Sequence, residues 1–152
     1  MEPIKESLLE LTAADLMTRD VVAIPVGTSM RSAARQLAQA RVSGAPVING
    51  EGRCIGVLST SDFFRGAVQE NLEIDASDKV GEHATADPVT AGPATPIRQL
   101  ARMMLDADIH RVIVVDKEDR PIGIVSSTDV LAAMAYAVSR HDHRDRSLTN
   151  RG

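Results

Sequence analysis

The sequence predicts an α+β fold built from two β-α-β-β-α repeats. The stretch Gly56–Asp62 reads GVLSTSD and Gly123–Asp129 reads GIVSSTD, so the two motifs lie 67 positions apart. Sliding the chain on itself by that offset, without a gap, aligns many further identical residues: Thr18 with Thr85, Asp20 with Asp87, Arg31 with Arg98, Arg35 with Arg102, and Val47 with Val114. Chance would match only about one position in fifteen. We therefore infer an internal duplication.

Short apolar runs predict the strands of each copy. In the first copy, the β-branched run Val21–Ile24 is closed by Pro25, and the runs Ala45–Ile48 and Cys54–Leu58 flank a turn at Asn49–Gly52. Strands that are apolar at consecutive positions need cover on both faces, so neither repeat can bury its sheet alone. The strands and turn of the second copy's hairpin are Val112–Val115, Asp116–Asp119 and Ile122–Val125.

Apolar residues at helical spacing predict a long helix with one buried face in each copy. The stripe in the first copy consists of Met30, Ala33, Ala34, Leu37 and Ala38. The stripe in the second copy consists of Ile97, Leu100, Ala101, Met104 and Leu105. A second helix is expected to begin near Ser59 and near Ser126, and Thr12 is expected to cap a short helix that ends at Leu16–Met17.

These assignments divide the chain into five parts. Residues 1–12 form an N-terminal helical extension. Residues 13–68 and 79–138 are the two repeats, and the polar, acidic residues 69–78 connect them. Residues 139–152 form a charged tail that we expect to be disordered.

The composition argues against several classes of function. The chain has two Phe, one Tyr and no Trp, and its net charge is −4. It therefore lacks both the stacking platform and the basic surface of a nucleic-acid-binding protein. No apolar run approaches the roughly 18 residues of a membrane span, and the first residues lack the basic-then-apolar pattern of a signal peptide, so we expect a cytoplasmic protein that binds neither nucleic acid nor membrane. The single Cys54 is expected to be a small buried filler.

No set of residues in the sequence predicts catalysis. The four histidines, His83, His110, His141 and His143, are not paired by spacing with a cysteine, a serine or an acidic cluster that would indicate a metal site or a catalytic triad. We therefore expect neither an enzyme nor a metal centre.

The end of each motif has two interpretations. Ser-x-x-Asp at a helix start is close to a capping box, in which the acid reaches back to the backbone of the cap residue. The usual acid is the longer Glu or Gln, so we expect Asp62 and Asp129 to reach back less well and capping alone not to account for them. A helix N-terminus flanked by hydroxyls also attracts a phosphate, and a nearby aspartate can accept the hydroxyls of a ribose. Both interpretations stay open.

The duplication, the Leu16–Thr18 stretch, the Ser43–Val47 stretch and the two motifs together resemble a tandem pair of CBS domains (cystathionine-β-synthase domains, or Bateman module). The resemblance covers residues 12–138. Two segments, Arg41–Ser43 and His110–Asp116, also resemble the gamma subunit of AMP-activated protein kinase. The resemblance implies that the two repeats pack with pseudo-twofold symmetry through their sheets.

The resemblance further implies two clefts that take adenine nucleotides, each combining the helix start of one repeat with the entry segment and loop of the other. Carried over residue by residue, the first cleft consists of Ser59, Ser61, Asp62, Ala84, Val89, Ile109, His110 and Arg111. The second cleft consists of Met17, Val22, Val42, Ser43, Ser126, Thr128 and Asp129.

The resemblance also implies a role for these residues. Asp62 and Asp129 would accept the ribose hydroxyls, and backbone groups beside Val42 and Ile109 would bind the adenine edge. The hydroxyl side chains, with His110 and Arg111, would bind the phosphates. Because only the second copy carries this His-Arg pair, the first cleft is ranked above the second.

Two functions of different class remain open. The preferred one is a freestanding regulatory module that binds AMP, ADP or ATP and signals through conformation or dimer packing to an unknown protein partner, as a homodimer. The alternative is a structural module that dimerises and binds a partner protein, with vestigial nucleotide clefts.

Overall fold

The structure is a computed structural model that describes residues 8–68 and 77–136. The start of the expected N-terminal extension, most of the expected connector and the expected charged tail lie outside the described residues. No helix in the described stretches combines the length and the apolar character needed to span a membrane.

The described elements follow the predicted order in both repeats. A helical turn at residues 8–10 precedes the first repeat. The first repeat contains α1 (Ala13–Leu16), β1 (Ile24–Pro25), α2 (Met30–Ala40), β2 (Gly44–Ile48), β3 (Cys54–Ser59) and α3 (Thr60–Val68). The second repeat contains α4 (Val80–His83), β4 (Thr85–Ala86), β5 (Thr90–Ala91), α5 (Ile97–Ala107), β6 (Arg111–Val115), β7 (Pro121–Ser126) and α6, the helical residues 127–136.

Two sheets confirm the predicted α+β class. One sheet has the order β1-β2-β3-β4 and the other has the order β5-β6-β7. The predicted first strand, Val21–Ile24, is wrong at both ends because only Ile24 and Pro25 pair with β2, in parallel register. Proline is tolerated there because β1 is an edge strand. The two-residue strand β4, which pairs with β3, was not predicted.

The chain forms two compact units that cut across the sequence repeats. Among the described residues, unit 1 contains residues 8–19, 91–114 and 123–136, and unit 2 contains residues 20–68, 77–90 and 115–122. We name residues 12–18 lead-in 1 and residues 79–85 lead-in 2; the two segments are equivalent at the 67-residue offset. Each lead-in belongs to the unit that holds the motif of the other repeat.

Lead-in 1 is held in unit 1 by backbone hydrogen bonds to the second repeat. The N–H of Ala13 donates to the carbonyl of Thr95 at 2.9 Å. Thr18 and Ile124 exchange both of their backbone hydrogen bonds, at 2.9 and 3.1 Å. Ala13 is fully buried. Lead-in 1 therefore pairs with β7 through an antiparallel bridge within the second motif.

Lead-in 2 makes the equivalent contacts in unit 2. The N–H of Val80 donates to the carbonyl of Thr28 at 2.9 Å, and Thr85 pairs with Val57 across the β3–β4 ladder. Val80 is fully buried in a core formed with Ile24, Met30, Ala33, Leu37, Ala45, Val47 and Leu58. Burying a valine side chain of this kind stabilises the fold by about 1.5–3 kcal/mol.

The predicted helical stripes are only partly buried. In α2, Met30, Ala33 and Leu37 are buried, but Ala34 and Ala38 are exposed. In α5, Ile97, Leu100 and Met104 are buried and Ala101 is half-buried, whereas Leu105 is 81% exposed. The prediction that the whole stripe is buried is therefore wrong. The buried face of each helix is narrower than the apolar stripe. It contains the first, fourth and eighth residues counted from the start of the stripe, whereas the fifth and ninth residues lie at its edge, toward solvent.

The hairpin turns preserve the duplication at the level of individual hydrogen bonds. Asn49 Oδ1 accepts the N–H groups of Glu51 and Arg53, at 2.9 and 3.0 Å. Sixty-seven positions later, Asp116 Oδ1 accepts the equivalent pair at 2.9 and 3.0 Å. The N–H groups of Arg120 and Glu118 favour the ionised carboxylate, so the pKa of Asp116 is lowered from its usual value.

Replacing Gly56 with alanine is expected to destabilise unit 2. A Cβ at Gly56 would lie 2.8 Å from the carbonyl oxygen of Thr85, so strand β4 would have to shift. We expect a loss of about 1–3 kcal/mol in the free energy of unfolding, measured by chemical denaturation. Gly50→Ala is the control, because a Cβ there meets nothing within 4 Å, and it should change stability by no more than about 0.5 kcal/mol. Equal effects of the two substitutions would contradict the close β3–β4 approach.

Asp116→Asn is expected to reduce the loss of stability in acid. The pKa of Asp116 is lower in the folded than in the unfolded protein, so its contribution is present above the unfolded value of about 3.9 and is lost as pH falls through the folded pKa. Denaturation at neutral pH and near pH 3 should show a smaller loss for Asp116→Asn than for the wild type. Asn49→Asp, which adds a titrating group to the equivalent turn, should show a larger loss. Identical losses of stability in acid for the wild type and both variants would contradict the stabilising effect of the ionised Asp116 carboxylate.

Candidate functional site

The first motif ends in a capped helix start. The backbone N–H of Ser59 donates to Asp62 Oδ2 at 2.7 Å, and Ser59 Oγ lies 3.3 Å from the same oxygen. The hydroxyls of Ser59 and Ser61 are hydrogen-bonded to each other at 2.7 Å. The strand β3 ends at Ser59 and α3 begins at Thr60, so no loop separates the cap from the helix.

The second motif forms a complete capping box. The N–H of Ser126 donates to Asp129 Oδ2 at 2.8 Å, and the N–H of Asp129 donates to Ser126 Oγ at 3.1 Å. The expectation that aspartate reaches back less well is therefore wrong, because Asp62 and Asp129 both bind the cap amide at normal hydrogen-bond distance. The direct passage from strand to helix brings the cap amide within reach of the shorter side chain.

The two aspartates differ in their access to solvent. The Asp62 side chain is 2% exposed, and its Oδ1 lies 3.9 Å from a guanidinium nitrogen of Arg65. Asp129 is half-buried. Next to these carboxylates, Ser61 and Thr128 expose their side chains. Each helix start thus presents hydroxyls beside a carboxylate that already holds one backbone amide.

The lead-ins bring the expected apolar residues toward the motifs within each unit. In unit 1, a Cβ at Gly123 would collide with the side chain of Met17, so Met17 lies directly against the second motif. In unit 2, a Cβ at Gly56 would lie 3.8 Å from the Cβ of Ala84, at the first motif. The structure therefore brings Met17 to Gly123 of the second motif and Ala84 to Gly56 of the first motif.

The loops before β2 and β6 lie beside the helix start of their own repeat. The carbonyl of Ser43 accepts the N–H of Thr60 at 3.0 Å, and the carbonyl of His110 accepts the N–H of Ser127 at 2.8 Å. Val22, Val42, Ser43 and Val89 belong to unit 2, whereas Ile109, His110 and Arg111 belong to unit 1. The grouping of these loop and strand residues into the two clefts stays a prediction.

One histidine has an acidic partner that its sequence spacing did not indicate. His83 Nε2 lies 2.9 Å from Asp78 Oδ2, and the potential ligand atoms of Asp78, Glu82 and His83 all lie within 4.8 Å of one another. The expectation that no histidine is paired with an acidic cluster is therefore wrong for His83. The hydrogen bond between Asp78 and His83 accounts for their proximity, and the three residues are the described ones that could approach a metal ion together.

Cys54 is half-buried and poorly suited to act as a nucleophile. Burial is the main cause of the raised pKa of its thiol. The hydrogen bond with the Gly56 backbone lowers this pKa by less than burial raises it, and the negative charge of Asp119 raises it further. The thiol therefore stays protonated at neutral pH, which makes it a poor nucleophile.

Comparison with known proteins identifies the family. The sequence profile of the CBS domain matches residues 13–68 and 80–136. Among curated proteins, the chain is 30% identical over 117 residues to a homoserine O-acetyltransferase of Methanohalobium evestigatum, a match that covers 77% of this chain and 23% of that protein. The chain spans less than half the length of the first curated relatives it matches.

Solved structures give the same result. The chain superposes on CBSX2 in complex with AMP with a TM-score of 0.70 and 27% identity, over 82% of this chain and 96% of that one. It superposes on the CBS domain pair of protein MJ0100, in complex with 5′-methylthioadenosine and S-adenosyl-L-methionine, with a TM-score of 0.73 and 22% identity, over 82% and 96% of the two chains. The chain therefore belongs to the CBS-domain family and contains the domain twice in tandem.

Proposed function

We propose that this protein is a noncatalytic regulatory module that binds an adenine nucleotide, AMP, ADP or ATP, and signals to a protein partner. The observation that carries the proposal is the placement of each lead-in against the motif of the other repeat. Within one unit, this placement combines a hydroxyl-rich helix start with the apolar residue of a lead-in. The 27% identical relative crystallised with AMP supports an adenine nucleotide as the ligand.

The polar side of each half-site suits a ribose phosphate. The first-turn amides of a helix and the hydroxyls of Ser61 or Thr128 can donate to a phosphate. In the capping geometry, Oδ2 of each aspartate accepts the cap amide. Oδ1 of Asp129 would then accept ribose hydroxyls, whereas Oδ1 of Asp62 would have to share them with the Arg65 guanidinium, which lies 3.9 Å away. Asp129 is the more accessible of the two carboxylates.

The apolar side of each half-site suits an adenine ring. Met17 and Ala84 are both half-buried and lie against the glycine of a motif. A flexible, polarisable methionine side chain adapts to a planar ring. We assign phosphate contacts to His110 and Arg111 and adenine-edge contacts to the backbone beside Val42 and Ile109, as the family resemblance implies.

Regulation would follow from unequal binding. A ligand shifts a conformational equilibrium only by the difference between its affinities for the two states. AMP, ADP and ATP differ in charge and length at the phosphate end, so each would bind a given arrangement of the lead-ins with a different affinity. Conformation or dimer packing would then report the bound nucleotide to the partner.

Exposed apolar side chains favour a second candidate function, a dimerising or partner-binding module. In unit 1, Leu105 is 81% exposed, Leu131 is 64% exposed and Met134 is 46% exposed. Leu131 and Met134 are three positions apart on α6, so they lie on one face of that helix, and contiguous exposed apolar patches mark interaction sites. The homodimer is part of both functions, so ligand binding is the property that distinguishes them.

Calorimetric titration with AMP, ADP, ATP and S-adenosylmethionine tests the proposal. The wild type should bind at least one adenine nucleotide saturably. Removing a ribose-binding carboxylate, in Asp62→Ala or Asp129→Ala, should weaken that binding by about tenfold to a hundredfold. The variant with the larger loss identifies the cleft that dominates binding.

Ser29→Ala is the matched control. Ser29 Oγ accepts the N–H of Ser32 at 3.1 Å, so it caps α2, but it belongs to neither predicted cleft and to neither lead-in. It should lose about 1 kcal/mol of stability with unchanged affinity. If no nucleotide binds, the nucleotide function is excluded and the interaction module is favoured. If all three alanine variants weaken binding equally, the ribose-binding role of Asp62 and Asp129 is excluded.

A further inference from the structure

A cavity in unit 1 lies outside the motifs and the lead-ins. It has a volume of about 490 Å³ and is lined by Leu9, Pro96, Arg98, Gln99 and Arg102. This volume is within the range of about 300–1,000 Å³ that is typical of small-molecule sites. None of the lining residues belongs to the predicted nucleotide clefts.

Two arginines give the cavity a positive charge. Arg98 and Arg102 are separated by one turn of α5, so their side chains project from the same face of the helix. Neither guanidinium has an acidic partner among residues 8–68 and 77–136. Guanidinium groups bind carboxylates and phosphates through two parallel hydrogen bonds. The pair therefore suits an anion.

The start of α5 and two apolar lining residues also shape the binding properties of the cavity. Pro96 occupies the N-cap position and supplies no side-chain hydrogen bond to the first-turn amides. The carbonyl of Leu11 accepts the N–H of Ile97 at 2.9 Å, so the positive end of the helix dipole is only partly neutralised there. Leu9, which is 43% exposed, and Pro96 form an apolar wall. The cavity thus combines cationic groups with an apolar surface.

The duplicated helix α2 provides an internal comparison. It carries Arg31 and Arg35 at the positions equivalent to Arg98 and Arg102. Its N-cap, Ser29, accepts the N–H of Ser32 at 3.1 Å, so its first turn is capped. The arginine pair is thus present in both repeats, but α2 has a side-chain N-cap and α5 does not.

We propose that this cavity binds a small organic anion, a carboxylate, sulfonate or phosphate carried on an apolar body. The guanidinium groups of Arg98 and Arg102 hold the anionic group near the start of α5, and Leu9 and Pro96 cover the apolar body. This site is separate from the proposed nucleotide function and does not depend on it.

Fluorescence titration with 8-anilinonaphthalene-1-sulfonate, an apolar ring system with one sulfonate, tests the site. The wild type should show one saturable site. Charge-assisted hydrogen bonds are lost in the double variant Arg98→Ala/Arg102→Ala, so its Kd should rise by about tenfold or more. Arg31→Ala/Arg35→Ala removes the same charge from the equivalent positions and should change the Kd by less than about twofold.

Two further measurements locate the site. The uncharged probe N-phenyl-1-naphthylamine should bind both double variants and the wild type alike, and amide NMR shifts caused by the sulfonate probe should centre on residues 96–102. Absence of saturable binding, equal losses in the two double variants, or shifts centred elsewhere would each overturn the proposal. Thermal unfolding of both variants verifies that they are folded, and their adenine nucleotide affinity is expected to be unchanged.

Discussion

The exchange of lead-in segments between the two repeats is the constraint on which the rest of the structure depends. Ala13 is fully buried in unit 1 and Val80 is fully buried in unit 2, although each residue belongs to the other repeat by sequence. Both residues also hydrogen-bond through their backbone N–H to an equivalent threonine, Thr95 or Thr28. Each unit therefore contains a buried, hydrogen-bonded segment of the other repeat.

The same exchange builds the candidate site. Met17, which is part of lead-in 1, lies against Gly123. Ala84, which is part of lead-in 2, lies beside Gly56. Both glycines are required because a side chain at either position would displace the incoming segment. Each motif glycine thus admits the segment that becomes the apolar side of the half-site, while the serine and aspartate at the end of the motif form the polar side. Folding and proposed ligand binding use the same contacts.

Local signals made most of the elements predictable from the sequence. Residues that are equivalent at the 67-residue offset also share their backbone conformation. Arg41 and Asp108 both have positive φ at the ends of α2 and α5, and Gly52 and Asp119 both have positive φ in the hairpin turns. Helix spacing and turn residues depend only on neighbours in the chain, so they can be read from one sequence. The helix starts at Ser59 and Ser126 were placed correctly for this reason.

Features that depend on distant contacts could not be predicted in the same way. Strand β4 exists because lead-in 2 pairs with β3, and the pairing of His83 with Asp78 depends on how that lead-in is folded. The exposed Leu105 reflects the width of the helix contact, which periodicity does not specify. The reach of Asp62 to the cap amide depends on the direct strand-to-helix passage. In each case tertiary geometry overrides a local expectation.

Cooperative unfolding of two fragments tests the exchange most directly. Fragments 1–72 and 1–90 both contain the first repeat, but only 1–90 retains lead-in 2, which completes the 20–90 part of unit 2. Circular dichroism should show a more cooperative thermal transition, at a higher temperature, for 1–90 than for 1–72, because 1–72 lacks the buried Val80 and strand β4. If 1–72 unfolds as cooperatively as 1–90 and at the same temperature, the first repeat does not need the lead-in of the second.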